Sequence, residues 1–342
     1  MRLDRGAALD GPVDVREDAA AAERAGFDGF WLSEVKHDPF VALAVAATAT
    51  HRVQLGTAIA LAFARSPMTT AAAADDLQAL SGGRLLLGLG TQVRAHITRR
   101  FSMPWSHPAA RMREYVLALR AIWDTWHTGA PLDFRGEFYS HTLMTPMFQP
   151  QVHGFGAPPV LLAGVGEAMT EVAGEVADGF LTHGFTTERY VREVTLPALE
   201  RGRERGARGR GGFTVKGSPM VAIGRTRDEL DAARAGVRSQ IAFYGSTPAY
   251  RTVLELHGWG DLGDRLHALS REGRWAEMGP LLGNDVVETF AVVGTPEEAA
   301  AEVLRRYGDV FDRLTLYMPY AADPDLVVRA TAAVREAVGS AA

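Results

Sequence analysis

The sequence contains no cysteine. Disulfide bridges, thiolate nucleophiles, thiolate zinc sites and iron–sulfur clusters are therefore excluded, and a reducing cytoplasm is the expected compartment. No run of about 18 apolar residues occurs, and residues 1–14 lack the apolar core of a signal peptide. These absences predict a cytoplasmic chain without a membrane partner.

Several catalytic motifs are also missing. No H-x-H or H-E-x-x-H pattern occurs, and the first strand region, where barrel metal hydrolases carry H-x-H, reads Leu3-Asp4-Arg5-Gly6. No metal site is therefore predicted. The sequence also lacks a G-x-S-x-G nucleophile elbow and an early G-x-G-x-x-G, which counts against a Rossmann domain. Five histidines have no partner spacing that indicates chemistry and are predicted to be structural: His107, His127, His141, His153 and His257.

Charge of one sign does not dominate, because the formal net charge is only −5. The arginines are scattered apart from residues 201–210, RGRERGARGR, which follow a predicted helix. A solvated helix end explains this cluster more simply than a nucleic-acid patch. No nucleic-acid partner is predicted.

Short apolar runs alternate with longer amphipathic runs along most of the chain. Strands are predicted over Arg2–Leu9, Gly29–Leu32, Val53–Leu61, Arg84–Leu89, Val160–Ala163, Gly179–Thr182, Phe213–Ile223 and Arg313–Met318. Helices are predicted over Val13–Ala25, Pro39–Thr50, Pro67–Leu80, Pro108–His127, Glu167–Ala177, Thr187–Gly202, Thr226–Phe243, Pro296–Tyr307 and Pro324–Val338. Eight continuous apolar strands with intervening helices predict a (β/α)8 TIM barrel, an α/β fold, as a single domain over residues 1–342.

Two segments interrupt the alternation. Leu132–His141 is typical of a small hairpin, and residues 242–285 form a longer, helical insertion between strands seven and eight, rich in Tyr, Trp, His and Gly. A long insertion on the βα side of a barrel builds or covers a substrate pocket, or it packs and dimerises. The sequence leaves both alternatives open.

In a TIM barrel the active site lies at the carboxyl ends of the strands. Glu34 and His37 follow the second strand and are either an acid/base pair or ordinary polar contacts. His96 and Arg100 lie four residues apart, as on one helix face, and suit an anionic ligand or a surface pair. Gly164-Val165-Gly166 runs from the fifth strand into a helix, which indicates a possible phosphate cradle or simply a tight turn.

Three stretches resemble the luciferase-like monooxygenase superfamily, whose barrels bind flavin or the deazaflavin coenzyme F420. They are RSPM…DLQALSGGRLLLGLG, the preceding VQLGTAIAL, and PPVLLAGVG…VADGFLTHG. Further details resemble an actinobacterial F420-dependent subgroup, among them RRFSMPWSHPAARMREYVLALRAIW and IAFYGSTPAYRTVLELHGWG. The resemblance implies a homodimeric TIM barrel with an insertion after strand seven.

The resemblance also implies where the cofactor lies. A bulge with a non-proline cis peptide, here the Ala58–Ile59 bond, backs the ring, while the phosphate lies on residues 164–167 and Gly90 and Gln92 flank the ring and its side chain. The predicted cofactor-binding residues are Thr57, Ala58, Ile59, Gly90, Gln92, Ala163, Gly164, Val165, Gly166, Glu167 and His183.

The function implied is hydride transfer between F420 and a small, largely apolar organic substrate. Val35 stands where many relatives have a His next to the acid, and Val93 where one F420-dependent dehydrogenase has a catalytic Glu. These departures disfavour sugar-phosphate dehydrogenation and favour reduction of a C=C or C=N bond. The candidates for proton handling are Glu34, His37 and His96.

Two alternatives remain. One is a two-component monooxygenase that uses reduced FMN, since flavin and deazaflavin rings are nearly isosteric. The other is a non-catalytic barrel that binds cofactor or a partner protein. F420 differs from FMN in its polyglutamate tail, for which basic residues are available at Arg65, Arg94 and Arg99.

Overall fold

The computed structural model describes residues 1–7, 14–207 and 211–340. Ala8, Leu9, Val13 and the end of the arginine cluster, residues 208–210, lie outside the described residues. The chain divides into two compact units. The first unit comprises residues 4–181 and 198–214, and the second comprises residues 1–3, 182–197 and 215–342. The single domain over residues 1–342 stays a prediction.

The strands are short and mostly buried. They are β1 Arg2–Ala7, β2 Gly29–Leu32, β3 Gln54–Thr57, β4 Ala60–Leu61, β5 Leu85–Gly90, β6 Phe134–Arg135, β7 Ser140–His141, β8 Val160–Gly164, β9 Gly179–Thr182, β10 Thr214–Gly217, β11 Met220–Ile223, β12 Ala291–Gly294 and β13 Arg313–Leu314.

The main sheet has the strand order β3-β2-β1-β13-β10-β9-β8-β5-β4, and a further pairing of β3 with β5 joins its ends. Within each unit, the paired strands of this sheet run parallel to each other. The segments β3 and β4 are two parts of one interrupted strand, so the barrel has eight strands. Eight parallel strands in this cyclic order, with helices between them along the chain, define the predicted (β/α)8 TIM barrel.

The helices follow the apolar periodicity of the sequence. They are α1 Val15–Arg24, α2 Pro39–Ala49, α3 Pro67–Leu80, α4 Arg94–Arg99, α5 Pro108–Thr128, α6 Glu167–Val176, α7 Glu188–Tyr190, α8 Leu196–Arg205, α9 Arg227–Gly245, α10 Arg251–Leu256, α11 Gly260–Arg271, α12 Asn284–Phe290, α13 Pro296–Tyr307 and α14 Pro324–Ser340. Among the described residues, no helix is both long enough and apolar enough to cross a bilayer.

Element ends with a clear chemical signal were predicted well. Gly29–Leu32, Gly179–Thr182, Pro67–Leu80 and Pro296–Tyr307 have the predicted bounds. Ser66 caps α3 by accepting a hydrogen bond from the Thr69 backbone N–H, and Thr295 forms a capping box with Glu298 at α13. The predicted hairpin over Leu132–His141 is confirmed as the antiparallel pair β6–β7.

The seventh predicted strand, Phe213–Ile223, is wrong as a single element. Only Thr214–Gly217 lies in the barrel sheet, whereas β11 pairs with β12 in a separate parallel sheet within the second unit. Pro219 interrupts the run because it has no N–H to donate to a ladder. Strand β12 was missed, since four apolar residues between helices carry too short a pattern. The eighth strand is also shorter than the predicted Arg313–Met318.

The predicted strand Val53–Leu61 is likewise divided in two. Both parts pair with β5, with Gly56 opposite Leu86 and Ala60 opposite Leu89. From Gly56 to Ala60 the chain takes one residue more than β5 takes from Leu86 to Leu89. The extra residue forms a bulge between β3 and β4. The Ala58–Ile59 peptide bond in the bulge is cis, as the resemblance predicted.

Candidate active site

The bulge between β3 and β4 is held by the loop that follows β2. The Ser33 hydroxyl donates to the Ala58 carbonyl oxygen at 2.8 Å, and the Glu34 N–H donates to the Ile59 carbonyl oxygen at 3.2 Å. The Glu34 carboxylate also accepts a hydrogen bond of 2.8 Å from the Leu61 N–H. Two neighbouring residues therefore satisfy three backbone groups that the interrupted strand leaves without a regular ladder partner.

Glu34 also belongs to a charged clamp formed by Glu34, Arg65 and Asp38. The Arg65 guanidinium contacts Glu34 Oε2 at 2.7 Å and Asp38 Oδ2 at 2.6 Å. The Glu34 and Arg65 side chains are only 7% and 16% exposed, whereas Asp38 is 44% exposed. Burial by itself lowers the pKa of Arg65, but the hydrogen bonds and charges of Glu34 and Asp38 outweigh burial and raise this pKa.

This geometry gives Glu34 a positioning role that the sequence did not show. Both hydrogen bonds to its side chain reach Oε2, while Oε1 accepts none from the described residues. Arg65, which was expected to bind a cofactor tail, is instead committed to the clamp.

The two histidines proposed with Glu34 lie in different settings. His37 is half-buried in the loop between β2 and α2, and His96 is exposed on the short helix α4. The Arg100 guanidinium donates to the Val35 carbonyl oxygen at 2.7 Å, and a shared anion site with His96 stays a prediction. This bond joins the end of α4 to the loop that carries Glu34.

The glycines at the end of β5 are required by the bulge. A Cβ at Gly88 would collide with the Thr57 carbonyl oxygen, and one at Gly90 would collide with the Ile59 side chain. The Thr57 hydroxyl also donates to the Gly88 carbonyl oxygen at 2.6 Å. Close approach between two strands therefore explains why glycines stand at these two positions.

Three of the predicted cofactor-binding residues form a common surface. Ala58, Ile59 and Ala163 are half-buried and pack on one apolar cluster in the first unit. The buried members of this cluster are Trp31, Leu86, Leu161 and Leu181. We call the three half-buried residues the apolar floor; it offers contact area to a flat ring without any charged group of its own.

The turn between β8 and α6 follows Ala163 of this floor along the chain, and its backbone at Gly166 has open space beside it. Gly166 is the N-cap of α6, and a Cβ built there would contact nothing within 4 Å. The first turn of a helix presents N–H groups without intrahelical partners, which favour an anion. Glu167 would oppose that anion, but its carboxylate accepts a hydrogen bond of 2.6 Å from Arg201, which offsets its charge.

The floor and the open helix start fit a ring-plus-phosphate cofactor of the flavin or deazaflavin type. The floor could supply dispersion contacts, and the first turn of α6 could supply backbone N–H groups beside the open space at Gly166. Gln92 has a left-handed backbone (φ 59°), and its side-chain oxygen accepts a hydrogen bond from the Val93 N–H at 2.9 Å. Its amide nitrogen donates to none of the described residues, so it is available to a ligand.

Arg94 and Arg99 are exposed on α4, which begins two residues after Gln92. Neither forms an ion pair with any residue that the structure describes. Of the three arginines expected to serve an anionic tail, these two have free guanidinium groups.

The second unit contains a cluster that the sequence analysis missed, a cage of His183, Tyr244, Tyr250 and Tyr317. The His183 ring lies 4.7 Å from the Tyr244 ring and 4.6 Å from the Tyr250 ring, measured between centroids. The Tyr244 and Tyr317 hydroxyl groups are 3.3 Å apart. Tyr244 and Tyr250 belong to the predicted insertion, whose aromatic richness was the only signal for this cage.

The cage is uncharged near neutral pH. Burial lowers the pKa of His183 to about 4 and raises the pKa of Tyr250 to about 12. Burial also raises the pKa values of Tyr244 and Tyr317. His183 Nδ1 accepts a hydrogen bond of 2.9 Å from the Phe185 N–H, so the neutral ring carries its proton on Nε2. His183 is therefore a neutral hydrogen-bond donor over most of the pH range.

Comparison with known proteins identifies the class. The family model described as luciferase-like monooxygenase matches residues 2–313, and the chain belongs to this family. The fold agrees with a solved structure of a coenzyme F420-dependent tetrahydromethanopterin reductase from Methanopyrus kandleri. The TM-score is 0.81 at 19% identity, over 98% of this chain and 99% of that chain.

Two relatives are similar to this chain in sequence. An uncharacterized protein of Mycobacterium tuberculosis is 55% identical over 296 residues, which are 86% of this chain and 87% of that protein. The F420-dependent glucose-6-phosphate dehydrogenase of Intrasporangium calvum is 30% identical over 329 residues, 90% of each chain. The family and this relative support an oxidoreductase.

Proposed function

We propose that this protein is an F420-dependent oxidoreductase that transfers a hydride between F420 and a small, largely apolar organic molecule. The observation that carries the proposal is the apolar floor of Ala58, Ile59 and Ala163 beside the bulge between β3 and β4. The F420-dependent relative at 30% identity supports F420 over FMN.

F420 supplies the two-electron hydride chemistry when bound. The chain's own residues would orient the ring on the apolar floor and would bind the phosphate at the start of α6, where Gly166 leaves open space. The clamp keeps the bulge in register through Glu34, which is also a predicted proton-handling residue. His37 and His96 remain predicted proton-handling residues, as His183 remains a predicted cofactor contact.

The cage supports the substrate class. Three tyrosines and a neutral histidine suit contact with an uncharged, partly aromatic molecule. His183 Nε2–H can donate to a heteroatom of such a substrate. Val93, at the position where one F420-dependent dehydrogenase has a catalytic Glu, favours reduction of a C=C or C=N bond over oxidation of a sugar phosphate. The expected homodimer stays a prediction, which sedimentation of the purified chain tests.

The direct test is titration of the purified protein with F420 and, separately, with FMN, monitored by fluorescence. Micromolar or tighter binding of F420 together with weak binding of FMN is the expected result. Preference for FMN would favour the monooxygenase. Tight F420 binding without turnover of any reducible substrate would favour the non-catalytic barrel, and binding of neither cofactor would refute the proposal.

A variant of Gly166 locates the binding surface. Gly166 has φ −75° and open space at its Cβ position, so Gly166→Asp fits and provides a better helix cap than glycine. The new carboxylate should nevertheless repel the cofactor phosphate and weaken F420 binding about tenfold or more, which corresponds to about 1.4 kcal/mol. Gly166→Ala is the matched control and should bind F420 like the wild type. Equal F420 affinity of the two variants would show that the cofactor phosphate does not bind at this turn.

A further inference from the structure

Helices α3 and α5 and the connection between β7 and β8 bring together three metal-ligating side chains that are far apart in the sequence. Asp75 lies on α3, His127 on α5 and His153 in the connection, all within the first unit. Their ligand atoms lie within 4.8 Å of one another. Among the described residues, this is the one group of His, Asp and Glu side chains close enough to share an ion.

The three side chains are largely removed from water. Asp75, His127 and His153 are 5%, 21% and 12% exposed. A buried carboxylate in the middle of a helix needs a compensating partner, and among the described residues the imidazoles of His127 and His153 are the polar partners of the Asp75 carboxylate. The sequence analysis had taken both histidines as structural because it could not show this proximity.

The distances between the ligand atoms are compatible with a shared metal ion, although His153 and Asp75 also form a hydrogen bond without one. Asp75 Oδ1 is 3.2 Å from His153 Nε2 and 3.5 Å from His127 Nε2. Ligands at the usual zinc distances stand about 3.4 Å apart around a tetrahedral ion. His127 Nε2 is buried without a hydrogen-bond partner, so it has a lone pair or a proton that the protein alone leaves unsatisfied.

We propose that Asp75, His127 and His153 bind one divalent transition-metal ion of the zinc type. Two imidazoles and one carboxylate form a ligand set that Zn²⁺ and similar ions accept, with water in the remaining position. The ion fixes the connection of residues 142–159 onto α3 and α5.

The surrounding structure suits such a role. Helices α3 and α5 pack together, and the Trp123 indole N–H donates to the Ala71 carbonyl oxygen at 3.2 Å. Two ligands are thus held on a rigid pair of helices. The connection contains only a short 3-10 turn, Pro146–Phe148, and Gln149 ties it to α5 through the Trp126 carbonyl oxygen at 3.3 Å. With His153 as the third ligand, the ion would attach the connection to the two helices at a second point.

One contact must change when the ion binds. His153 Nδ1 accepts a hydrogen bond of 3.2 Å from the Phe155 N–H, so the neutral ring has its proton on Nε2, which faces Asp75. Coordination through Nε2 moves this proton to Nδ1 and replaces the contact with Phe155.

The test is titration of the metal-free full-length protein with Zn²⁺ by calorimetry, with metal content measured after dialysis. One Zn²⁺ per chain is expected, at micromolar affinity or tighter, together with a higher melting temperature. His127→Gln and His153→Gln should each weaken binding about tenfold or more. His141→Gln is the matched control, because His141 also has a buried Nε2 without a partner but belongs to no such cluster.

The wild-type protein provides an independent measurement if a variant fails to fold. Co²⁺ in place of Zn²⁺ should give the visible absorption of a tetrahedral nitrogen and oxygen site, and Zn²⁺ should protect residues 142–159 from proteolysis. Absence of stoichiometric binding by the wild type, or equal binding by the His127, His153 and His141 variants, would overturn the proposal.

Discussion

The charged clamp of the first unit and the uncharged cage of the second unit use polar side chains in opposite ways. In the clamp, Glu34 and Arg65 are largely buried as ions and hold backbone groups of the bulge. In the cage, burial keeps His183 and the tyrosines neutral. The difference teaches that the effect of burial depends on the partners: the pKa of Arg65 is raised despite burial because Glu34 and Asp38 contact it, whereas burial alone lowers the pKa of His183.

The largest effect is expected from loss of the clamp. Glu34→Ala leaves the Leu61 N–H without its acceptor and removes the more buried partner of Arg65, so the free energy of unfolding should fall by about 3 kcal/mol. Chemical denaturation measures this loss. Asp38→Asn is the control, because its ion pair is more exposed and Asn still caps α2, so it should cost about 0.5 kcal/mol. Equal losses would mean that the clamp does not depend on burial.

The cage should make stability depend on pH between about 4 and 6.5. In this window the unfolded chain binds a proton at His183 and the folded chain does not, so the free energy of unfolding rises with pH, by up to about 3 kcal/mol. Above the unfolded pKa the contribution is complete, and it is lost as the pH falls through the folded pKa. His183→Gln should flatten the profile measured by urea denaturation, whereas the exposed His51→Gln should not. An unchanged slope in His183→Gln would show that this ring titrates normally.

A smaller effect concerns the free arginines near the clamp. Arg94→Gln with Arg99→Gln should weaken F420 binding about tenfold, at about 0.7 kcal/mol for each exposed contact, and the loss should diminish in high salt. FMN has no polyglutamate tail, so its affinity should not change. The exposed Arg135→Gln serves as the control. If FMN binding weakened to the same extent, the two arginines would contact the phosphate that both cofactors share and not the polyglutamate tail.

The smallest effect is expected within the cage. Tyr244→Phe removes a hydroxyl contact of 3.3 Å with Tyr317 and should lower the free energy of unfolding by about 0.5–1.5 kcal/mol. Tyr317→Phe should cost a similar amount, and the double variant should cost little more than either, because the same bond is lost. Additive losses in this thermal-unfolding cycle would show that the two hydroxyl groups act independently.

The sequence predicted the parts of the fold that depend on local order along the chain. Apolar continuity located all eight barrel strands, and proline with a capping residue located the starts of α3 and α13. The cis bond at Ala58–Ile59 came from the family resemblance, because no local pattern distinguishes it. The break at Pro219 and strand β12 were missed, since pairing partners distant in the chain decide them.

The sequence by itself therefore determined the barrel, the family and the segments from which a site is built, because periodicity and turn chemistry are properties of neighbouring residues. Only the tertiary structure decided that Arg65 serves the clamp, that His183 meets three tyrosines and that Asp75 meets two histidines. These facts depend on distances between residues far apart in the chain, and such distances exist only after the chain has folded.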